Sequence, residues 1–339
     1  MRMWIVAAGV AMLGSTAAAR APSPPTPLFS SDAPIHVIIQ GPISNLVGNR
    51  SETPRPATMT VDGVTYPIAL TPRGITRLRP DTCDFPPLRV ELTQPAPPGS
   101  LFHSQRRLKL VTHCKQTSSF QQKVLLEYSA YRLYNLMTPQ SFRARLANVD
   151  YVDAGGRPYI SRVGFFLEDF DDVAKRNGMV NAHLGDRVPL QQIDPLAGAR
   201  MAVFEYMISN YDWSMRAAPK GEECCHNARL MTSAPGGIAV PVPYDFDYSG
   251  LVDAPYAGPP IELEGEVSDL RSRSYRGYCV HAAQARAVAA ELSPRRAEFL
   301  GLFATIPGLD ARNQSRAAGF VQGFFADLDS GKIFKKCVN

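Results

Sequence analysis

The chain has 339 residues, of which 45% are hydrophobic, and its 36 basic and 31 acidic side chains give a net charge of +5. This composition supports a substantial core, organised as one large domain or as two lobes. Because the charges are mixed and form no polybasic block, composition does not favour nucleic acid as a partner. No segment after the N-terminal one is long and apolar enough to predict a membrane span.

The first 21 residues have the pattern of a secretory signal peptide. Arg2 supplies a positive end, WIVAAGVAMLG a short apolar segment, and Ala17 to Ala19 an A-x-A cleavage pattern. We therefore expect an exported protein, periplasmic or secreted, with no stable membrane span once the signal is cleaved. The alternative is an uncleaved membrane anchor. The Pro/Ser-rich residues 22–33 are predicted to be a linker.

Six cysteines follow the predicted signal peptide, and their even number in an exported chain predicts disulfide bonds. A structural zinc site is disfavoured because C-x-x-C spacing is absent. The sequence leaves the pairing open, although the adjacent Cys224 and Cys225 are expected to bond to different partners. With oxidised cysteines, a Cys-His nucleophile is also disfavoured.

The first half of the chain is predicted to be mostly β-structure. The pattern predicts a strand in IHVIIQG, a hairpin in TMTVDGVTYPIAL that turns at Asp62-Gly63, and strands at 88–92 and 107–114. Apolar residues at helical spacing then predict a helix over 120–137. Two further strands, FRARLANVDYVD and YISRVGFFLED, are joined at Gly155-Gly156.

The second half is predicted to be mainly helical. A helix over 193–210 has Pro195 in its first turn, and helices over 280–306 are broken at Ser293-Pro294 before a last helix over 316–331. This order predicts an α+β fold with two lobes and a ligand cleft between them. The N-terminal β-rich, nucleotide-binding-like lobe would cover 34–170, and the helical, catalytic-like lobe 171–339.

The stretch from Phe204 to Tyr248 carries the strongest functional signal. Asp212 follows an apolar helix, Asn227 precedes a short apolar run, and Asp245 and Asp247 follow a Val/Pro strand. Carboxylate, amide and carboxylate in this order are typical of a phosphoryl-transfer site, in which one carboxylate orients the acceptor and the others hold a metal. On an extended segment Asp245 and Asp247 would point the same way and reach one cation. The alternative is that these aspartates only build turns.

Three further residues are candidates for binding a nucleotide. Lys109 lies in the strand RLKLV, and Glu127, in the following helix, would pair with it and direct it toward phosphates. Glu168 follows the strand VGFFL at the expected junction of the lobes, where the backbone would meet the edge of an adenine. The alternatives are a surface lysine, a solvated helix glutamate and an acidic helix start.

A basic loop precedes the strand at 88–92. Arg73, Arg77 and Arg79 lie in PRGITRLRPDTCDFPPL, which is neither a G-x-G-x-x-G loop nor a Walker motif. This loop would either cover phosphates or form a basic turn held by Cys83. Other chemistry fits less well, since no G-x-S-x-G or H-E-x-x-H motif occurs and His103, His113 and His226 lack metal-ligand spacing.

The runs YMISNYDWS, HNARL and VPYDFDYSG resemble the atypical protein-kinase superfamily. The resemblance is nearest to the spore-coat CotH-like and the Golgi casein-kinase-like enzymes, and more distant to the HipA-like kinases. It implies that Asp212 is the catalytic carboxylate, that Asn227 and Asp245 are metal ligands, and that Asp247 assists them. The chain departs from the family pattern in its long Asp212–Asn227 spacing and in having no glycine-rich loop.

The same resemblance implies that Lys109 and Glu127 form a phosphate-binding ion pair and that the cofactor is ATP with Mg²⁺ or Mn²⁺. The expected function is an exported, kinase-like phosphotransferase that uses a metal-nucleotide donor on an unknown protein or small-molecule acceptor. One alternative is a non-catalytic, pseudokinase-like envelope binding protein. The other is a nucleotidyl transferase, which would transfer AMP.

Overall fold

A computed structural model describes residues 20–339. The predicted signal peptide lies outside the described residues except for its last two positions. The strands are Ile35–Gly41 (β1), Arg55–Val61 (β2), Val64–Pro72 (β3), Leu88–Leu92 (β4), Arg107–Val111 (β5), Ala144–Asp153 (β6), Pro158–Leu167 (β7), Val180–Asn181 (β8), Ala228–Thr232 (β9) and Ala239–Pro243 (β10). The helices are Ile43–Gly48 (α1), Ser118–Met137 (α2), Phe170–Arg176 (α3), Pro195–Ile208 (α4), Ala282–Leu292 (α5), Arg296–Gly301 (α6) and Ala311–Asp329 (α7).

Strands β1 to β7 form a closed barrel in the order β1-β2-β3-β4-β5-β7-β6. The pairing of β1 with β6 is parallel, whereas the other neighbouring pairs are antiparallel. The β2–β3 hairpin turns at Asp62 and Gly63, whose φ angles of 49° and 77° are the positive values that a tight two-residue hairpin needs. Alternate residues of each strand fill the interior with one apolar core.

A second apolar core lies outside the barrel, against the wall formed by β5 and β7. Val111, Phe165 and Leu167 contribute to it from the wall, and α2 packs between this wall and α4. Helix α4 begins where the Asp194 side chain accepts a hydrogen bond from the Ala197 backbone N–H, at 2.8 Å, and it is almost wholly buried. A small antiparallel sheet in the order β10-β9-β8 packs beside it.

The predicted two-lobed kinase-like fold, with a mainly helical C-terminal lobe, is wrong. The N-terminal strands close into a barrel rather than forming an open lobe, and the second half contains a three-stranded sheet as well as helices. The two cores do not divide at residue 170 either, because α2 shares its core with α4. Closure of the barrel depends on the parallel pairing of β1 with β6, which lies about a hundred residues later in the chain. The alternation of apolar and polar residues within one strand does not indicate which strand it pairs with.

The six cysteines form three disulfide bonds, Cys83–Cys114, Cys224–Cys225 and Cys279–Cys337. The prediction of disulfides is confirmed, but the expectation that Cys224 and Cys225 have different partners is wrong. Residues 22–33, predicted to be a linker, include Leu28 and Phe29, whose side chains are buried in the barrel core. Across residues 20–339, no helix has both the length and the apolar character needed to cross a membrane.

Substitution of Gly164 in β7 tests how closely β7 packs against β5. A Cβ atom at this position would lie 2.6 Å from the Val111 carbonyl oxygen, so the backbone would have to move. We expect Gly164→Ala to lower the free energy of unfolding by about 1–3 kcal/mol, as overpacking does. Chemical denaturation of the oxidised protein measures this change.

Gly319→Ala is the matched control, because Gly319 lies inside α7 with no atom near the added methyl group. The helix should gain about 0.5–1 kcal/mol from it. Equal stability of the two variants would contradict the close packing described for β5 and β7.

Candidate functional site

A cavity of about 440 Å³ opens between the outer wall of the barrel and the loops that follow α4 and β10. Its lining contains the predicted site residues Lys109, Asp212, Asn227, Asp245 and Asp247. We call it the central cavity. Residues that are far apart in sequence therefore line one cavity.

Strand geometry explains how Lys109 and the residues near Asp245 reach this cavity. In β5, Leu108 and Leu110 point into the barrel core, so Lys109 between them points outward. Strands β9 and β10 are antiparallel and pair at Ala228 and Pro243, which brings the residues just before β9 beside those just after β10. The Tyr244 backbone N–H accordingly donates to the Asn227 carbonyl oxygen at 3.0 Å.

Lys109 and Asp245 form the central ion pair, with 2.7 Å between Nζ and Oδ1. The Tyr131 hydroxyl of α2 accepts a hydrogen bond from the Asp245 backbone N–H at 2.9 Å and fixes this segment. Burial alone would raise the pKa of Asp245, but Lys109, Arg73 and Arg77 outweigh it and hold the pKa at about 2. Asp245 is thus an anion across the physiological pH range.

A second, deeper cluster surrounds Arg77. Its Nη1 atom lies 3.3 Å from Glu127 Oε2 and 3.8 Å from Asp247 Oδ2, and its Nη2 donates to the Thr112 carbonyl oxygen at 2.7 Å. The Tyr256 hydroxyl donates to Asp247 Oδ2 at 2.9 Å. These contacts place a guanidinium ion between two carboxyl groups and away from solvent.

The carboxyl groups of this cluster have raised pKa values. Burial raises the pKa of Glu127 to about 8 against the opposing effect of Arg77. Burial, together with the charge of Asp245, also raises the pKa of Asp247. Of these three neighbouring carboxyl groups, Asp245 is therefore the one whose ionised form its surroundings favour most.

Hydrogen bonds to neighbouring residues fix Asp212 in the loop after α4, which is stabilised by the Asn210 side chain. The Asp212 backbone N–H donates to Asn210 Oδ1 at 3.1 Å. Its Oδ1 atom lies 2.7 Å from His226 Nε2, and its Oδ2 atom accepts from Asn227 Nδ2 at 2.9 Å. The side chain is still 37% exposed, so an acceptor molecule can reach an oriented carboxylate.

Two predicted residues lie outside the lining of the central cavity. Glu127 contacts Arg77 instead of the predicted partner Lys109, which pairs with Asp245. Glu168 accepts from Arg176 at 3.1 and 3.0 Å and from the Arg143 backbone N–H at 2.9 Å. Its carboxylate is thus engaged within the protein.

Several side chains that were not predicted site residues contribute to the site. His226, whose spacing indicated no metal site, contacts Asp212, and its position next to Asn227 was the available signal. In the basic loop, for which the sequence left two alternatives open, Arg73 and Arg77 line the cavity, whereas Arg79 pairs with Asp81 on the surface. The roles of Tyr131 and Tyr256 depend on tertiary contacts that no local pattern indicates.

The backbone is unusual at the same residues. Asn227 and Asp245 have φ angles of 49° and 67°, and Ser209, which ends α4, has a φ of 52°. Left-handed conformations are uncommon for residues other than glycine, although Asn and Asp tolerate them best. Such conformations cluster at functional sites, where the surrounding contacts enforce them.

The donors in the central cavity fit a hard divalent cation that also binds its substrate. Asp245, Asp247 and Asn227 offer oxygen ligands, and because the Asn227 amide nitrogen points at Asp212, its amide oxygen is the atom left to accept. Within the described part of the chain, no group of three His, Cys, Asp or Glu side chains is arranged to hold a metal alone. A metal ion held here would need further ligands from a bound molecule or from water.

No family model matches the chain, and no curated protein matches it.

The titration of His226 reports directly on the Asp212 contact. The hydrogen bond to Asp212 raises the pKa of His226 above its usual value, against the opposing effect of burial. The contact therefore stabilises the folded state at pH values below about 6.5, the pKa of an unfolded histidine. That contribution is lost as the pH rises through the folded pKa.

We expect Asp212→Asn to lower the pKa of His226, measured by NMR titration of the imidazole. Asp84→Asn, which removes an exposed carboxylate elsewhere, should leave it unchanged. A His226 pKa that is the same in the wild type and in Asp212→Asn would show that the two side chains do not interact in solution.

Proposed function

We propose that this protein is a metal-dependent phosphotransferase, which moves the terminal phosphoryl group of a metal-bound nucleotide to an acceptor hydroxyl. The observation that carries the proposal is the convergence of Lys109, Asp212 and Asp245 on one cavity. These residues come from three separate segments. Lys109 would supply a cation for phosphates, Asp212 a partly exposed carboxylate, and Asp245 an anionic ligand for the metal. Phosphoryl transfer relies almost entirely on positioning and on the stabilisation of charge, which is what such a set provides.

Asp212 would act on the acceptor. Its hydrogen bonds to His226 and Asn227 fix the direction of the carboxylate, and the remaining lone pairs are free to accept the proton of an acceptor hydroxyl. A fixed carboxylate aligns the attacking oxygen at no further entropic cost during the reaction. Asp212 is accordingly assigned as the general base.

Asp245 and Lys109 would act on the donor. Asp245, with Asn227 and Asp247, would hold Mg²⁺ or Mn²⁺, which when bound supplies charge neutralisation to the phosphates. Lys109 and Arg73 border the same cavity and offer positive charge to the phosphate oxygens. Lys109 would turn from Asp245 toward the donor as the latter binds.

The deeper cluster would position the metal ligands. Arg77 and Tyr256 hold Asp247, while Tyr131 holds the backbone of Asp245. Since these supports come from α2 and from the loops on either side, the ligands are preorganised by packed elements.

The three disulfide bonds fit an oxidising compartment, and we propose that the protein acts in the periplasm or outside the cell. Activity should accordingly be assayed with oxidised protein.

A donor that binds the folded protein should raise its melting temperature. We expect a metal-dependent increase with ATP or GTP plus Mg²⁺ or Mn²⁺, because ligand at about 100 times its Kd adds about 2.7 kcal/mol of stability. Asp245→Asn should abolish the metal-dependent part of the increase. Differential scanning fluorimetry of the oxidised protein measures it.

Asp329→Asn is the control for the Asp245 variant, since it removes a carboxylate from a surface ion pair with Arg296 at the end of α7. It should respond to donor and metal as the wild type does. A shift that persists in Asp245→Asn would place the metal elsewhere, and no shift with any donor would favour a non-catalytic binding protein.

Asp212→Asn should slow transfer without weakening the binding of donor. Loss of a general base reduces rates by about 10²- to 10⁴-fold, so we expect a reduction of that order in phosphate release with water as the acceptor. The melting temperature and the donor-induced shift should stay near those of the wild type. Undiminished release in Asp212→Asn would exclude Asp212 as the base, and AMP as the product would indicate nucleotidyl transfer instead.

A further inference from the structure

A second cavity, of about 320 Å³, adjoins the central one, and Arg73, Lys109 and Tyr244 line both. We call it the arginine cavity, because most of its polar lining is basic. The basic residues that line it are Arg73, Arg89, Arg107, Lys109 and Arg229.

Three of these cations form no close ion pair in the part of the chain that the structure describes. Lys109 pairs with Asp245, and Arg229 lies 3.5 Å from Glu223, but Arg73, Arg89 and Arg107 form no ion pair among residues 20–339. Guanidinium ions that face one cavity repel each other unless an anion lies between them.

The pairing of β4 with β5 is a second reason to expect a bound anion. Arg89 lies directly opposite Lys109, whereas Arg107, on the same face, lies opposite the acidic Glu91. Like charges at directly opposite positions of a sheet destabilise it. The pairing of Arg89 with Lys109, on the face that borders both cavities, therefore points to a bound anion.

The acidic residues of the arginine cavity lie at its Arg107 side. Glu168 is bound by Arg176, and the Asp169 side chain accepts from the Asp171 backbone N–H at 2.9 Å, where it caps α3. The negative charge of Asp169 acts on Arg107, and Glu91 faces Arg107 across the sheet. The excess positive charge therefore lies mainly at Arg73 and Arg89.

We propose that the arginine cavity is an anion subsite continuous with the central cavity, and that the ligand spanning both is a linear polyphosphate. Its terminal phosphates would lie at Lys109 and Asp245, and the following ones at Arg73, Arg89 and Arg107. A nucleotide fits this arrangement less well, because a neutral base in the arginine cavity would leave the guanidinium ions without a counter-ion. Arg side chains are also well suited to phosphate, which they bind with two parallel hydrogen bonds.

The inference rests on the phosphoryl transfer of the proposed function and replaces its nucleotide donor with a linear polyphosphate. In the transfer step, the acceptor oxygen forms a bond to the terminal phosphorus as the bond from that phosphorus to the bridging oxygen breaks. The electron pair leaves with the shortened chain, and the hydroxyl proton passes to Asp212. No oxidant or reductant is needed.

Isothermal titration calorimetry with a polyphosphate of defined length and with pyrophosphate, at fixed salt, tests the subsite. Arg89→Gln should raise the Kd of the long chain at least about tenfold, which corresponds to about 1.4 kcal/mol. It should leave the Kd of pyrophosphate unchanged, because pyrophosphate fills only the central cavity. Arg89→Lys, which keeps the charge, should recover much of the affinity.

Arg312→Gln is the matched control: it removes the same charge from an exposed position of α7, and it should bind the long chain as the wild type does. Equal weakening by Arg89→Gln and Arg312→Gln would overturn the proposal, since attraction would then follow net charge alone. Failure of the long chain to bind more tightly than pyrophosphate or ATP would also overturn it.

The calorimetry tests the subsite independently of the proposed phosphotransferase activity, because binding of polyphosphate requires no catalytic turnover. Length-dependent binding that Arg89→Gln removes, without phosphate release from any donor, would support the subsite and contradict the phosphotransferase. Metal-dependent release from ATP, with no preference for the long chain, would do the reverse.

Discussion

The ion pair between Lys109 and Asp245 joins the two halves of the molecule at the point where the proposed chemistry takes place. Lys109 belongs to the barrel wall, and Asp245 to the segment after β10, so the pair sets the distance between these parts. The side chains are only 13% and 32% exposed, and leaving one of them unpaired would cost far more than a surface contact does. A ligand that replaces one partner must therefore bring its own charge, which is a requirement that a metal-bound phosphate meets.

Around this ion pair, three neighbouring carboxyl groups have pKa values that are shifted in different directions. Asp245 is stabilised as an anion by Lys109 and by arginines, whereas burial raises the pKa of Glu127 and of Asp247. A cation bound beside Asp247 would oppose the effect of burial and lower the pKa of that carboxyl group. The proposed anion subsite in the arginine cavity would place further negative charge beside Arg73 and Arg89.

Local patterns predicted much of this structure, and long-range pairing accounts for what they missed. The Asp62-Gly63 hairpin, α2 and α4 follow from turn chemistry and from apolar spacing, and the aspartates at the ends of elements gather because β9 and β10 pair side by side. The barrel escaped prediction because its closure depends on the parallel β1–β6 pairing. Likewise, the contact of Glu127 with Arg77 rather than with Lys109 is decided by how α2 packs against the loop after β3, which neither segment encodes alone.

The most direct test of the account is ³¹P NMR of oxidised protein incubated with Mg²⁺ and with ATP or polyphosphate in parallel. We expect loss of terminal phosphate from a donor, giving inorganic phosphate and the shortened chain, with no reaction in Asp245→Asn. Intact donors after prolonged incubation, or equal cleavage by wild type and Asp245→Asn, would contradict it.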